Sequence, residues 1–226
     1  MTVFTHVPTA KEIPNISVTY KNGCHLYETP DGSFVGITSK LARLPRFILP
    51  IQAWEDRIGI EKAKLISQQA ISRGKDVHAL CEAYLSNNAL PDVSLLGTAM
   101  FEKMKPELDK INFIQCLETP IWSKELGTAG QCDIIGLYQN SLSVIDAKTS
   151  LKPKKMEYLE KYWLQTTAYS CMFQYLTGVK IEQLVLIIGD ETGTVNTYVQ
   201  SRSKYIDQLK ECLAEYQQIT YPGVVN

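Results

Sequence analysis

Between residues 17 and 36 short runs of alternating polarity are interrupted by turn formers: Ser17 to Tyr20, Lys21-Asn22-Gly23, His25 to Glu28, then Thr29-Pro30-Asp31-Gly32. Glycine and proline supply the turn geometry, so this region reads as short strands around tight turns. From Ile51 the period changes to that of a helix. Ala63, Ile66, Ala70, Gly74, Val77, Cys81 and Tyr84 recur three and four residues apart and mark one inward stripe. A second helix is predicted near Thr98 to Ile111, with Pro106 as a kink.

The middle of the chain is rich in β-formers. Phe113 to Trp122, Gly130 to Tyr138 and Leu142 to Ala147 read as three strands, the last two joined through Gln139-Asn140-Ser141 as a hairpin. Met156 to Leu176 reads as a helix ending at Gly178, and Gln183 to Ile188 as a strand buried on both faces. Val195 to Val199 suits an edge strand. Tyr205, Leu209, Cys212, Leu213 and Tyr216 mark a closing amphipathic helix. The order of helix, three strands, helix and strand predicts an α/β fold with an N-terminal, mostly helical elaboration. No linker or repeat divides it, so residues 1–226 read as one domain, 1–60 as the elaboration and 61–217 as the core.

Composition adds exclusions. With 45% hydrophobic and 21% charged residues in 226, the chain can build a core and is neither disordered nor fibrous. No apolar run approaches the ~18 residues of a membrane helix. The N-terminal residues show no secretory or transit pattern, which predicts a cytoplasmic protein. Six cysteines are scattered without a C-x-x-C pair, so reduced thiols are expected rather than a zinc ribbon. A net charge of -1 argues against coating of duplex DNA by bulk electrostatics. It conceals an asymmetry: Lys148, Lys152, Lys154, Lys155 and Lys161 cluster after the third strand and a basic run spans Lys40 to Lys64, whereas acids dominate after Glu182.

Within this frame a few polar residues stand where chemistry, not packing, explains them. In Asp146-Ala147-Lys148 the carboxylate and the ammonium lie two apart and share one face of the strand end. The pair suits metal-assisted phosphodiester hydrolysis, the carboxylate holding a divalent cation while the lysine positions a water or favours its deprotonated form. Asp133, on the preceding strand, comes opposite or diagonal to Asp146 across the hairpin. His78 falls on the inward helical stripe one turn after Gly74. Gln165 and Tyr169, a turn apart, place an amide and a phenol on a stripe that should face the core. Glu118 and Glu82 are read as structural.

In that order and on those elements, His78, Gly130-x-x-Asp133, Asp146-x-Lys148 and Gln165-x-x-x-Tyr169 resemble the motif set of the PD-(D/E)XK nuclease superfamily, and more narrowly its RecB-type exonuclease branch. Arg73-Gly74-x-x-x-His78, Glu82-x-Tyr84-Leu85 and Tyr27-Glu28-Thr29-Pro30-Asp31-Gly32 look like a subgroup of mitochondrial and bacteriophage exonucleases. The likeness runs from about residue 20 to 217. It implies that His78, Asp133, Asp146 and the Ala147 carbonyl bind Mg2+ or Mn2+, that Lys148 activates a water, and that Gln165 and Tyr169 position site and substrate. It also implies single-stranded DNA ends or flaps as substrate, replication or recombination proteins as partners, and strand contacts at Arg73, Thr38 and Tyr169, to which the lysine run adds Lys152, Lys154 and Lys155. Thr38 lies where Ser33 to Ser39 departs from the run usual in the subgroup. Only Cys171 and Cys212 follow the glutamine motif, far apart, so no iron-sulfur cluster is expected. The alternatives are a structure-specific endonuclease on the same fold and a non-catalytic DNA-binding subunit.

Overall fold

A computed structural model describes residues 2–220 of the chain. An extended start leads into a three-stranded antiparallel sheet of β1 (Ser17–Lys21), β2 (Cys24–Thr29) and β3 (Gly32–Val35). Asn22 and Gly23, both at positive φ, make the two-residue turn between β1 and β2. Then come α1 (Ile37–Ala42), α2 (Pro45–Ile58), α3 (Ile60–Leu85) and α4 (Leu95–Leu108). The N-terminal 60 residues are therefore a small sheet plus two helices, not mostly helix. Helix also begins earlier than the pattern predicted from Ile51, because Pro45 occupies the first helical turn, where its missing N–H is harmless. Gly59, at φ +89°, breaks α2 from α3, a conformation that other residues adopt only with strain.

The main sheet has five strands in the order β4 (Ile111–Ser123), β5 (Thr128–Tyr138), β6 (Ser141–Ser150), β7 (Gln183–Asp190) and β8 (Val195–Ser201). The pairs β4–β5, β5–β6 and β7–β8 are antiparallel and β6–β7 is parallel. A short 3-10 turn, Met156–Leu159, and α5 (Glu160–Thr177) make the crossover from β6 to β7, and α6 (Ile206–Thr220) closes the described chain. The expected hairpin is present as a two-residue turn, with Gln139 and Asn140 at φ +51° and +66°. Pro106 falls in the last turn of α4.

The sheet separates two cores. Alternate residues of β7 go to opposite sides: Leu184, Leu186 and Ile188 pack with α1, α5 and α6, while Val185 and Ile187 pack with α3 and α4. An uninterrupted apolar run is what a strand covered on both faces requires. α1 belongs to the first of these cores through Ile37 and Leu41. All six cysteines are free thiols. Among the described residues no helix is long and apolar enough to cross a membrane.

Candidate metal and phosphodiester site

Register places three acids in one row across three strands. Leu117 pairs with Ile134 and Thr119 with Cys132, which sets Glu118 level with Asp133. Ile134 pairs with Ile145, which sets Asp133 level with Asp146. Asp133 also ties the strands together, because its Oδ2 accepts the Ala147 amide at 3.1 Å. α3 lies over the same end of the sheet at Gly74, where an added Cβ would sit 3.8 Å from Thr149 Oγ1. One turn further on, His78 Nδ1 stands 3.4 Å from Glu118 Oε1 and 3.8 Å from Asp133 Oδ2. His78, Glu118 and Asp133 offer ligand atoms all within 4.8 Å of one another.

Asp146 is 0% exposed, and its two oxygens differ. Oδ1 accepts from Lys148 Nζ at 2.6 Å and from Gln165 Nε2 at 3.1 Å. Oδ2 is buried with no partner among the described residues. Burial, then repulsion from Asp133, pushes the Asp146 carboxyl up to about 6 against the pull of Lys148. Burial alone would lower Lys148, but attraction to Asp146 and Asp133 outweighs it and holds the ammonium charged well above the usual lysine range. His78 follows the same logic: burial pulls it down, while the Glu118 hydrogen bond and Asp133 raise it overall.

α5 supports the site from the other side. Gln165 Nε2 donates to both Asp146 Oδ1 and Tyr169 Oη, each at 3.1 Å, so a buried amide is satisfied by the carboxylate it orients. Gly130 makes room for Tyr169, since a Cβ there would meet Tyr169 Cε1 at 2.6 Å and Ile37 Cγ2 at 3.2 Å. The spacing from Gly130 to Asp133 thus couples a gap for the phenol to the placement of the carboxylate.

The structure therefore gathers His78, Asp133, Asp146, Lys148, Gln165 and Tyr169 at one end of the sheet. The other expected contacts scatter. Lys152 and Lys155 are exposed, with Lys155 Nζ 3.9 Å from Glu157. Lys154 donates to Tyr162 Oη at 2.6 Å. Arg73 is buried and ion-paired with Glu191, which makes it a structural cation and not a ready strand contact. Thr38 sits half-buried in the first turn of α1, next to Ile37. Glu82 is exposed and outside the cluster. Glu118 is the residue that sequence reasoning assigned to structure and the fold assigns to the cluster. It adopts φ +46° inside β4, a left-handed conformation that costs a non-glycine residue about 1 kcal/mol or more. Its Oε2 accepts from Gln131 Nε2 at 2.8 Å. Counting register back from Asp133 across the β4–β5 turn was the signal that could have found it.

Donors of this kind, the His78 imidazole with the Glu118 and Asp133 carboxylates, next to an Asp146 that keeps one oxygen without a partner among the described residues, fit a hard divalent cation. A charged lysine, Lys148, lies beside them on Asp133 and Asp146, so the cluster combines candidate cation ligands with one ammonium. In sequence the chain is similar to mitochondrial genome maintenance exonuclease 1 of Homo sapiens, 29% identical over 111 residues, covering 46% of this chain and 32% of that protein. The Mus musculus protein of the same name is 28% identical over 116 residues, covering 47% and 33%. The chain thus spans about a third of the length of these curated relatives. A solved structure from Eubacterium rectale, named as a candidate exonuclease, superposes with TM-score 0.49 at 10% identity over 69% of each chain. No family model matches the sequence.

Proposed function

We propose that this protein is a divalent-metal-dependent DNA exonuclease that hydrolyses phosphodiester bonds, prefers single strands with free ends, and is built on a PD-(D/E)XK core. Residues 61–217 form the catalytic unit on this reading and 1–60 an appended element. The observation that carries it is the convergence of His78, Glu118 and Asp133, with Lys148 bridging Asp133 Oδ2 and Asp146 Oδ1 beside them. The similarity to exonucleases of that name points the same way.

His78, Asp133, Asp146, the Ala147 carbonyl and Glu118 hold Mg2+ or Mn2+. A cation there supplies a Lewis acid for charge developing on the phosphate and eases deprotonation of a water. The protein's own groups do the rest. Lys148, kept charged by Asp146, is no base: it donates a hydrogen bond that orients the attacking water and stabilises its hydroxide form. Gln165 fixes the Asp146 carboxylate, and Tyr169 fixes Gln165. Lys152, Lys154, Lys155 and Thr38 contact the strand, whereas Tyr169, expected as a strand contact, is buried in the core and acts only through Gln165. The protein works without an iron-sulfur cluster, in the cytoplasm, beside replication or recombination proteins.

End-labelled linear and circular single-stranded DNA, incubated with and without Mn2+, test this reading. Linear strands are expected to be degraded only with metal, and circles to persist. Linear strands left intact with Mn2+ sink the proposal, and circles cut as fast as linear strands convert it to an endonuclease.

A further inference from the structure

Tyr162, on α5, stands between the acid cluster and a groove of about 840 Å3 lined by Trp54, Arg73, Lys154, Tyr158 and Tyr162. Its ring faces two cations at once: Lys148 Nζ lies 5.6 Å and Lys154 Nζ 4.6 Å from the ring centroid. Both distances are within the range of a cation–π contact. Its hydroxyl also accepts a hydrogen bond from Lys154 Nζ at 2.6 Å.

The two lysines differ in what else they have. Lys148 is ion-paired with Asp146. Among the described residues Lys154 has no carboxylate within ion-pair distance; a phenol and an aromatic face are its side-chain partners. The other cation of the groove, Arg73, is neutralised by Glu191. Among the described residues the groove wall therefore carries, in Lys154, an ammonium with no carboxylate partner. Of its three donors the phenol takes one, which leaves two for an incoming acceptor. The backbone under it is fixed as well: Tyr198 Oη donates to the Lys154 carbonyl at 3.2 Å, and Ser150 Oγ to the Lys152 carbonyl at 2.9 Å. A flexible lysine loses much rotamer freedom on binding, and a lysine already held by side chain and backbone has less to lose.

We propose that Lys154 is a phosphate-binding position on the groove wall, and that Tyr162 is a positioning residue with two separable functions: its hydroxyl orients Lys154 toward the phosphate and its ring backs Lys148. The ligand is a phosphate of a nucleic-acid strand, either a backbone diester beside the scissile bond or a terminal monoester. Phosphate binding stands on the groove alone, whereas the link to Lys148 rests on the nuclease reading.

The test combines binding and turnover for the full chain and four variants: Lys154→Met, Tyr162→Phe, the double variant, and Tyr162→Leu, each checked for folding by thermal unfolding. Binding of a fluorescent oligodeoxynucleotide is followed in EDTA over a range of salt, with the strand carrying a 5′-phosphate, a 3′-phosphate or neither. Lys154→Met and Tyr162→Phe should each weaken binding about fivefold to tenfold and lower the salt slope by about 0.7, the loss of one phosphate contact. The double variant should be no worse than Lys154→Met, because both changes remove one interaction. With Mn2+ present, Tyr162→Phe should raise KM more than it lowers kcat, whereas Tyr162→Leu should lower kcat by about tenfold or more through a misplaced Lys148. If dephosphorylated ends erase the Lys154 effect the ligand is the terminal monoester, and otherwise it is the diester. An unchanged salt slope, additive single effects, no strand binding at all, or equal kcat in the two Tyr162 variants overturns the proposal. Strand binding with the expected slopes but no cleavage by wild type would remove the nuclease reading and leave the phosphate position standing.

Discussion

At the scale of single residues, Asp146 holds a buried charge with one oxygen doubly bonded to donors and the other bare. Its folded value near 6 lies above the ordinary 3.8, so between about pH 4 and 6 the folded metal-free protein keeps a proton that the unfolded chain has released. This group's contribution to stability therefore falls as pH rises through that window. Asp146→Asn should remove that slope when thermal unfolding of the metal-free proteins is compared from pH 4 to 7. Lys148 works in the opposite range: its raised value gives stability that is complete below about 10.5 and lost as pH rises through the folded value. Cation binding must displace the Asp146 proton, so apparent Mn2+ affinity by calorimetry should tighten from pH 5 to 7 and then level off.

Glu118→Gln keeps an acceptor for Gln131 and removes one charge, and should weaken Mn2+ binding by about tenfold to a hundredfold; unchanged affinity would return Glu118 to a structural role. Gly130→Ala drives a Cβ into Tyr169 and should destabilise the fold by about 1–3 kcal/mol in denaturant unfolding. Gln165 and Tyr169 were legible as polar atoms on an apolar stripe. Glu118 was not, because its place in the cluster depends on a left-handed backbone angle and a cross-strand register that local pattern does not encode.

At the scale of elements, the hairpin between β5 and β6 carries the site, since one slip in register would turn Asp133 away from Asp146. Its turn holds Gln139 and Asn140 at positive φ, where asparagine followed by glycine is the favoured pair. Changing Gln139 to Asn and Asn140 to Gly should raise stability by about 0.5–1 kcal/mol, seen as a higher urea midpoint at unchanged slope. The strands, α3 and α5 were legible because burial on one or two faces leaves a period in the sequence. α1 and residues 45–50 of α2 were not: a six-residue helix gives too short a pattern, and Pro45 opens α2 where its missing N–H is harmless. α2 has no fully buried residue, so its apolar positions mark a partly covered face and not a core stripe.

At the scale of the molecule, the net charge of -1 first counts against nucleic acid, yet the fold sorts that charge. The acids meet at the end of the sheet, where a cation would neutralise them, and Lys154 lines a groove beside them with no carboxylate partner among the described residues. Arg73, which the sequence places among the strand contacts, is spent inside on Glu191. On the proposed reading a single strand is led to one site and no duplex is bound along its length. The cleavage rate of linear single-stranded DNA in Mn2+, measured for wild type beside folded Asp146→Asn and Lys148→Met, bears on this most directly. A fall of at least about a hundredfold in each variant is expected if these residues carry the chemistry; variants that cut as fast as wild type would contradict it.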